Sequence, residues 1–474
     1  MYVLSVLYDG LHDNRWLSTN EVGSEPLQEK PVTSWSDGPS GIPIRVFSVP
    51  HPIPGPSLMP NVTSPIMPAS TRGMAAPRLR TASPHGGYWS LRQEVDDALS
   101  KRVVKHNLSV AESYPALASL IEARKNKRMH AVEPESLAMY APFEGTQEAR
   151  RAAAMALAVA AGVESTPDPA QVIVTNGATA AIEAVAMATC DVGDAVLLPT
   201  PRYPSLALDV GARAGVTAKY VDDLTPTALR RAVDEDSDGG SVRAILFTSP
   251  DNPTGRWRSR EELDAIMEVA HERGLYVIWD AVYAATSSAP DRGAVPPLDD
   301  PHVITIYSAS KDFGLSGWRI GVMHTSNADV FNALMVGARF TCASTLAQSA
   351  FANLVGDDMC DLRAYFEDAA ITLKSRRDIA HAALVDAGVP PQPEHLYPHA
   401  GPLSLVHLPL PQDADGGIAL WRAILRKGVA VVPGTTCGAP SDHVRVCWGC
   451  AASDADAVDA ASRIAAAWLE CKCG

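Results

Sequence analysis

Positive charge is scarce in this sequence. Lys and Arg number 40 against 54 Asp and Glu, a formal net charge of −14 with a pI near 5.4, which disfavours nucleic acid as a partner. No apolar run reaches the length of a bilayer span, so no membrane partner is expected. The start, MYVLSVLYDGLHDN, lacks a basic n-region and meets aspartate early, so it makes a poor signal peptide and a cytoplasmic location is expected. The eight cysteines fall without an even framework. The close pairs, Cys447 with Cys450 and Cys471 with Cys473, have no histidine at finger spacing beside them, so free thiols and no metal are the reading. No Gly-x4-Gly-Lys-Ser/Thr occurs, which excludes a P-loop.

What is present is a large globular region behind a Pro-rich lead. Residues 1–86 read as an N-terminal extension, because the stretch from Pro50 to Pro84 mixes proline with Ser, Gly and Thr and shows no helical or strand period. The next residues suggest a large domain over 156–334 and a small one combining 87–155 with 335–474. Within the large one, QVIVTNG, DAVLLPT, VTAKYV, RAILFTSP, LYVIWD and HVITIYS read as strands. ATAAIEAVAMATC and SREELDAIMEVAHERG read as helices between them. This alternation predicts an α/β fold with a mostly parallel, doubly wound sheet, whose ligands bind beyond the carboxyl ends of the strands.

The residues just after those strands form an ordered series. First comes the small-residue turn Gly177-Ala178-Thr179 at a helix start, then Arg202-Tyr203, then Asn252, then Asp280 with Tyr283. Last comes SASKDFGLSGWRIG, with Ser308, Ser310, Lys311 and Arg319. A helix N-terminus with Gly, Ala and Thr suits a phosphate, and the two serines and the arginine add hydroxyls and a fixed positive charge. Lys311 beside that phosphate is either a counter-charge or a nucleophile toward a carbonyl. Taken singly, each residue has a plainer reading: a cap, an ordinary Asn-Pro-Thr-Gly turn, a surface lysine. Taken together they suit pyridoxal phosphate. Asp280 would face the ring nitrogen, Tyr203 would stack on the ring, Asn252 and Tyr283 would reach its hydroxyl, and Lys311 would hold the aldehyde.

With these motifs the chain resembles the fold-type I pyridoxal phosphate enzymes of the class I/II aminotransferase group, from about Leu91 to Ile464. The resemblance implies an aspartate aminotransferase-like fold. Lys311 would be the Schiff-base lysine and proton shuttle, Asp280 and Tyr283 its catalytic companions, and Gly177, Ala178, Thr179, Ser308, Ser310 and Arg319 the phosphate site. Tyr140, in YAPFEGTQEAR, would reach the phosphate of a neighbouring subunit in a homodimer with shared sites. Arg445, in VRVCWG, would grip the substrate carboxylate through its bidentate fork.

Closer variants narrow the branch. SASKDFGLSGWRIG with Asp312, TNGATAAIEAV, PTPRYPSLALDV, STLAQSAFANLVGD and LSVAES are similar to 1-aminocyclopropane-1-carboxylate synthases, with Glu112 in the place of a glutamate near the substrate. That branch implies S-adenosylmethionine as substrate, α-deprotonation and loss of methylthioadenosine by γ-elimination or γ-replacement. Phe143-Glu144-Gly145 departs from the branch's Tyr-His-Gly, and Asn252-Pro253-Thr254-Gly255 has the aminotransferase form. Arg202 precedes Tyr203 where a tyrosine is usual. It is either a surface ion-pair partner or a sign of an anionic second substrate such as NAD, joined by a new carbon–carbon bond in specialised (natural product) metabolism. The competing readings are a conventional aminotransferase and a non-catalytic cofactor-binding regulator. The regulator is disfavoured by the presence of Lys311, Asp280 and Arg445 together.

Overall fold

The structure, a computed structural model, describes residues 87–128, 137–235, 241–287, 293–410 and 417–473. The extension expected over 1–86 lies outside the described residues. A two-residue strand β1 (His106–Asn107) precedes seven strands of one sheet: β2 (Val172–Thr175), β3 (Ala195–Pro199), β4 (Thr217–Val221), β5 (Val242–Thr248), β6 (Tyr276–Asp280), β7 (Val303–Ser308) and β8 (Gly321–Thr325). Their order is β2-β8-β7-β6-β5-β3-β4. The neighbours from β7 to β4 pair in parallel, whereas β8 runs antiparallel to both β2 and β7.

All six strands and both helices read from the sequence are present, the helices as Ala178–Thr189 and Arg260–Arg273. The second shows why the boundaries were legible. Ser259 and Glu262 make a reciprocal capping box, and Gly274 closes the helix in the left-handed region. β8 was not foreseen.

Both faces of the sheet are covered, which explains why the strands are apolar almost throughout. Consecutive residues alternate between two cores: Leu197, Ile245, Val277 and Val322 on one side, Val196, Leu246, Ile278 and Met323 on the other. Helix Gln147–Ala161, capped by Thr146, belongs to the first of these cores.

A third core gathers Trp421, Trp448 and Trp468. It lies by a three-stranded antiparallel sheet of β9 (Leu403–His407), β11 (Val432–Pro433) and β12 (His443–Cys447), in the order β11-β12-β9, while β10 (Val429–Ala430) pairs with β1. Strand β12 carries Arg445. No helix among the described residues is long and apolar enough to cross a membrane.

Candidate active site

The carboxyl ends of β5, β6 and β7 carry Thr248, Asp280 and Ser308. Together with the start of helix Ala178–Thr189 they open on a cavity of about 210 Å³. Of the residues singled out in the sequence, Ala178, Thr179, Tyr203, Asn252, Asp280, Tyr283, Ser308, Ser310, Lys311, Arg319 and Arg445 all line it. They come from strand ends far apart in sequence, brought to one edge by the parallel topology.

Asp280 is buried, and Thr248 Oγ1 donates to its Oδ2 at 3.1 Å. Its Oδ1 is buried with no hydrogen-bond partner among the described residues. Burial raises its pKa to about 6, against the bond from Thr248 and the charge of Lys311. An oriented, partly unsatisfied carboxylate of this kind suits a protonated ring nitrogen. Tyr283 stands next along the same edge, and Asn252 Nδ2 donates to its hydroxyl at 3.5 Å. Asn252 is itself held by a turn in which Asp251 accepts from the Thr254 hydroxyl at 2.8 Å. Burial pushes the Tyr283 phenol well above its ordinary pKa, so it stays protonated.

Lys311 follows β7. Burial lowers its pKa, although Glu112 opposes this, and its Nζ donates to Ala111 O at 2.6 Å. Asp312 points the other way, accepting from Ala285 N at 2.8 Å and from the Thr286 hydroxyl at 2.6 Å. It therefore ties the loop that carries Tyr283 to the segment that carries Lys311.

At the anion end, Gly177 precedes the helix with a φ of 85°. A Cβ there would overlap the Arg319 guanidinium, so only glycine lets that side chain lie over the helix start. Arg319 donates to Ser316 O at 3.0 Å. The Ser308 hydroxyl lies 2.7 Å from Ile320 O and 2.8 Å from Ser310 Oγ. With its one proton donated to Ile320 O, the Ser308 oxygen accepts from the Ser310 hydroxyl, so Ser310 must turn its proton away from Ser308 to donate to a ligand, as Thr179 can.

Arg445 reaches the cavity from β12, donating to Asn252 Oδ1 at 3.3 Å and to Ser109 O at 2.6 Å. Ser109 begins a strap, Ser109–Glu112, whose four successive carbonyls each accept from a different side chain. Arg445 takes Ser109, Cys450 takes Val110 at 3.1 Å, Lys311 takes Ala111 and Cys447 takes Glu112 at 3.1 Å.

Four expected site residues stand elsewhere. Arg202 is buried and is not among the residues lining the cavity, with its guanidinium 3.6 Å over the Tyr220 ring. Its neighbour Tyr203 lines the cavity. Glu112 faces a separate recess and accepts from Ser316 Oγ at 2.7 Å. Tyr140 and Phe143 lie on the surface, 97% and 41% exposed, with ring centroids 6.5 Å apart.

Other lining residues were not anticipated: Thr248, Arg92, Ser109, Val110, Ala111 and Asp209. Burial, with Asp280 and Glu183 nearby, raises Asp209 to about 8, so it is largely protonated at neutral pH. Its only sequence signal was a lone carboxylate in the apolar stretch SLALDV.

The class I and II aminotransferase family model matches residues 105–464. 1-Aminocyclopropane-1-carboxylate synthase 1 of Prunus mume is 30% identical over 352 residues, covering 69% of this chain and 70% of that protein. The probable aminotransferase ACS12 of Arabidopsis thaliana is 35% identical over 237 residues, 47% of this chain and 48% of that protein. Among solved structures, a double mutant of Thermus thermophilus aspartate aminotransferase superposes with a TM-score of 0.64 at 25% identity, covering 80% of this chain and 96% of that one.

Proposed function

Because the chain belongs to the class I and II aminotransferase family, whose enzymes depend on pyridoxal phosphate, we propose that it acts on an α-amino acid bearing a γ-leaving group, S-adenosylmethionine. The similarity to a synthase of 1-aminocyclopropane-1-carboxylate supports this reading. Closing a cyclopropane on the α-carbon requires loss of an α-proton and of a group from the γ-carbon.

The residues present fit the cofactor. Lys311 would hold its aldehyde end and Asp280 its ring nitrogen, with Tyr203 against the ring and Asn252 and Tyr283 at the ring oxygen. Gly177, Ala178, Thr179, Ser310 and Arg319 would hold the phosphate. When bound, the cofactor withdraws electrons from the substrate's α-carbon and makes its proton acidic.

The chain does the rest. Arg445 clamps the substrate carboxylate through its fork. Lys311, with its pKa lowered by burial, takes the α-proton on Nζ. The electron pair left on the α-carbon closes onto the γ-carbon as the γ-carbon–sulfur bond breaks, and methylthioadenosine leaves with the bonding electrons of that bond. The protonated Tyr283 and Asn252 hold position beside the reacting centre, and the strap with Arg445 restricts water on the substrate side. The observation that carries the reading is the convergence of Lys311, Asp280 and Arg445 on one cavity.

A second, anionic substrate such as NAD rested on Arg202. That side chain packs on Tyr220 instead, so the proposal stops at loss of methylthioadenosine. A homodimer belongs to the proposal. Tyr140 beside Phe143, with Arg339 5.8 Å over the Phe143 ring and Phe340 77% exposed, makes an apolar surface from which Tyr140 would reach a second copy's phosphate site. Transamination is the second reading, favoured by Asn252-Pro253-Thr254-Gly255 and by the 35% identity to a probable aminotransferase. Incubating the holoenzyme with S-adenosylmethionine and following methylthioadenosine, beside keto-acid formation from common amino acids, separates the two. Keto acid without methylthioadenosine overturns the first.

A further inference from the structure

Two thiols flank the strap. Cys447 ends β12 and is fully buried, while Cys450 closes the following single turn, Trp448–Cys450, and is partly exposed. Both sulfurs converge on one atom: Cys447 Sγ is 3.1 Å and Cys450 Sγ 3.7 Å from Glu112 O. A tight helical turn brings residues three apart to within about 6 Å between Cα atoms, inside the range a disulfide spans. Gly449 lets the turn lie this close, since a Cβ there would meet Glu112 O at 2.6 Å.

Cys450 also lines a surface recess with Asn107, Glu112, Tyr114 and Trp318. A small oxidant therefore reaches it without passing through the cavity that holds Lys311. The other close pair, Cys471 and Cys473, sits at the end of helix Asp454–Cys473.

We infer that Cys447 and Cys450 form a redox-switchable dithiol whose oxidation releases the strap over Lys311. The oxidant is a small-molecule disulfide of the glutathione type. Cys450, which Cys447 and burial keep as a thiol, loses its proton to solvent at the recess as its sulfur attacks one of the oxidant's sulfurs and expels the first thiolate, leaving a mixed disulfide. The Cys447 thiolate then attacks the Cys450 sulfur and expels the second. Two protons and two electrons leave the protein, one S–S bond forms, and the oxidant departs as two thiols. Val110 O and Glu112 O lose their thiol donors in that step. Of the side-chain bonds to the strap's carbonyls only those from Arg445 and Lys311 remain, the two side chains that the proposed substrate chemistry must use, beside the Glu112 N–H to Val110 O bond at 3.1 Å and the Ser316 hydroxyl on the Glu112 carboxylate.

The test needs no knowledge of the reaction. Holoenzyme is equilibrated with oxidised glutathione or with dithiothreitol, alkylated, digested and weighed, and hydrogen exchange is followed over residues 108–113. The oxidised sample is expected to carry a disulfide within the 447–450 peptide, reversed by dithiothreitol, with strap amides exchanging at least about tenfold faster. Cys450→Ser, which keeps a hydroxyl for Val110 O, should show no change in strap exchange on the same treatment, with Cys450→Ala as a second control. A 447–450 peptide that stays fully alkylated in excess oxidant overturns the inference. A disulfide that leaves strap exchange unchanged overturns the switch.

Discussion

Thr248 donates to one oxygen of Asp280 at 3.1 Å and leaves the other buried beside the cavity without a partner among the described residues. The pair fixes the carboxylate's orientation and holds its charge in a poorly solvated place, which raises its pKa to about 6. An isolated carboxylate here costs stability, and a cationic partner supplied by a ligand offsets that cost.

Cofactor binding should follow that ionisation. Below about pH 6 Asp280 is neutral and cannot pair with a protonated ring nitrogen, so affinity for pyridoxal phosphate rises with pH up to that point and then levels. Asp280→Asn should lose this pH step and bind roughly ten- to a hundredfold more weakly, the worth of a charge-assisted hydrogen bond. Titration of the apoenzyme by absorbance at pH 5, 6 and 7 measures both effects. A wild-type affinity independent of pH over this interval would count against the role given to Asp280.

Asp209 gives a stability prediction with a definite sign. Its folded pKa, about 8, lies far above the unfolded carboxyl value. The folded state therefore holds a proton that the unfolded state has lost, and stability falls as pH rises between about 4 and 8. Asp209→Asn removes the ionisation. The variant's unfolding free energy should gain on wild type by up to about 1.4 kcal/mol per pH unit across that window and level off above it. Urea denaturation at several pH values tests this, and a constant difference would show that Asp209 is not held protonated.

Arg445→Lys should raise KM for the amino-acid substrate by roughly tenfold or more, because one ammonium cannot reproduce the guanidinium's two-point grip. The absorbance of the bound cofactor should not change, since Arg445 is assigned to the substrate and not to the cofactor. A spectrum that changes while KM does not would reverse that assignment.

Arg202→Met tests whether Arg202 is a buried packing residue on Tyr220 and not a substrate contact. Burial lowers the pKa of this guanidinium. Desolvating it costs several kcal/mol, more than the roughly 0.5–2 kcal/mol of one stacking contact with Tyr220. The variant should be as stable as wild type or more so in thermal melts, with KM changed less than about twofold. A large rise in KM for an anionic substrate would return Arg202 to the site.

The parts that could be read from sequence were those governed by local rules. Five of the six strands announced themselves because both faces of the sheet are buried there and the runs are mostly apolar, while β4, TAKYV, is the partly exposed exception. The residues after them were found because parallel strands send their ends to one edge. What escaped depends on contacts distant in the chain. β8, GVMHT, is a short run placed antiparallel between two strands by pairing alone. LSVAES was noticed for Glu112, but not as a strap whose carbonyls receive Lys311, Arg445, Cys447 and Cys450 from more than 190 residues away. Arg202 was misplaced because sequence adjacency to Tyr203 says nothing of which way its side chain turns, and it turns onto Tyr220.

The central claim is that Lys311 carries the cofactor and works as the base. Borohydride reduction of the holoenzyme followed by peptide mapping tests it most directly. The pyridoxyl group should be fixed on the peptide containing Lys311, and Lys311→Ala should show neither the label nor the yellow absorbance. A label on another lysine, or a yellow Lys311→Ala protein, would contradict the account.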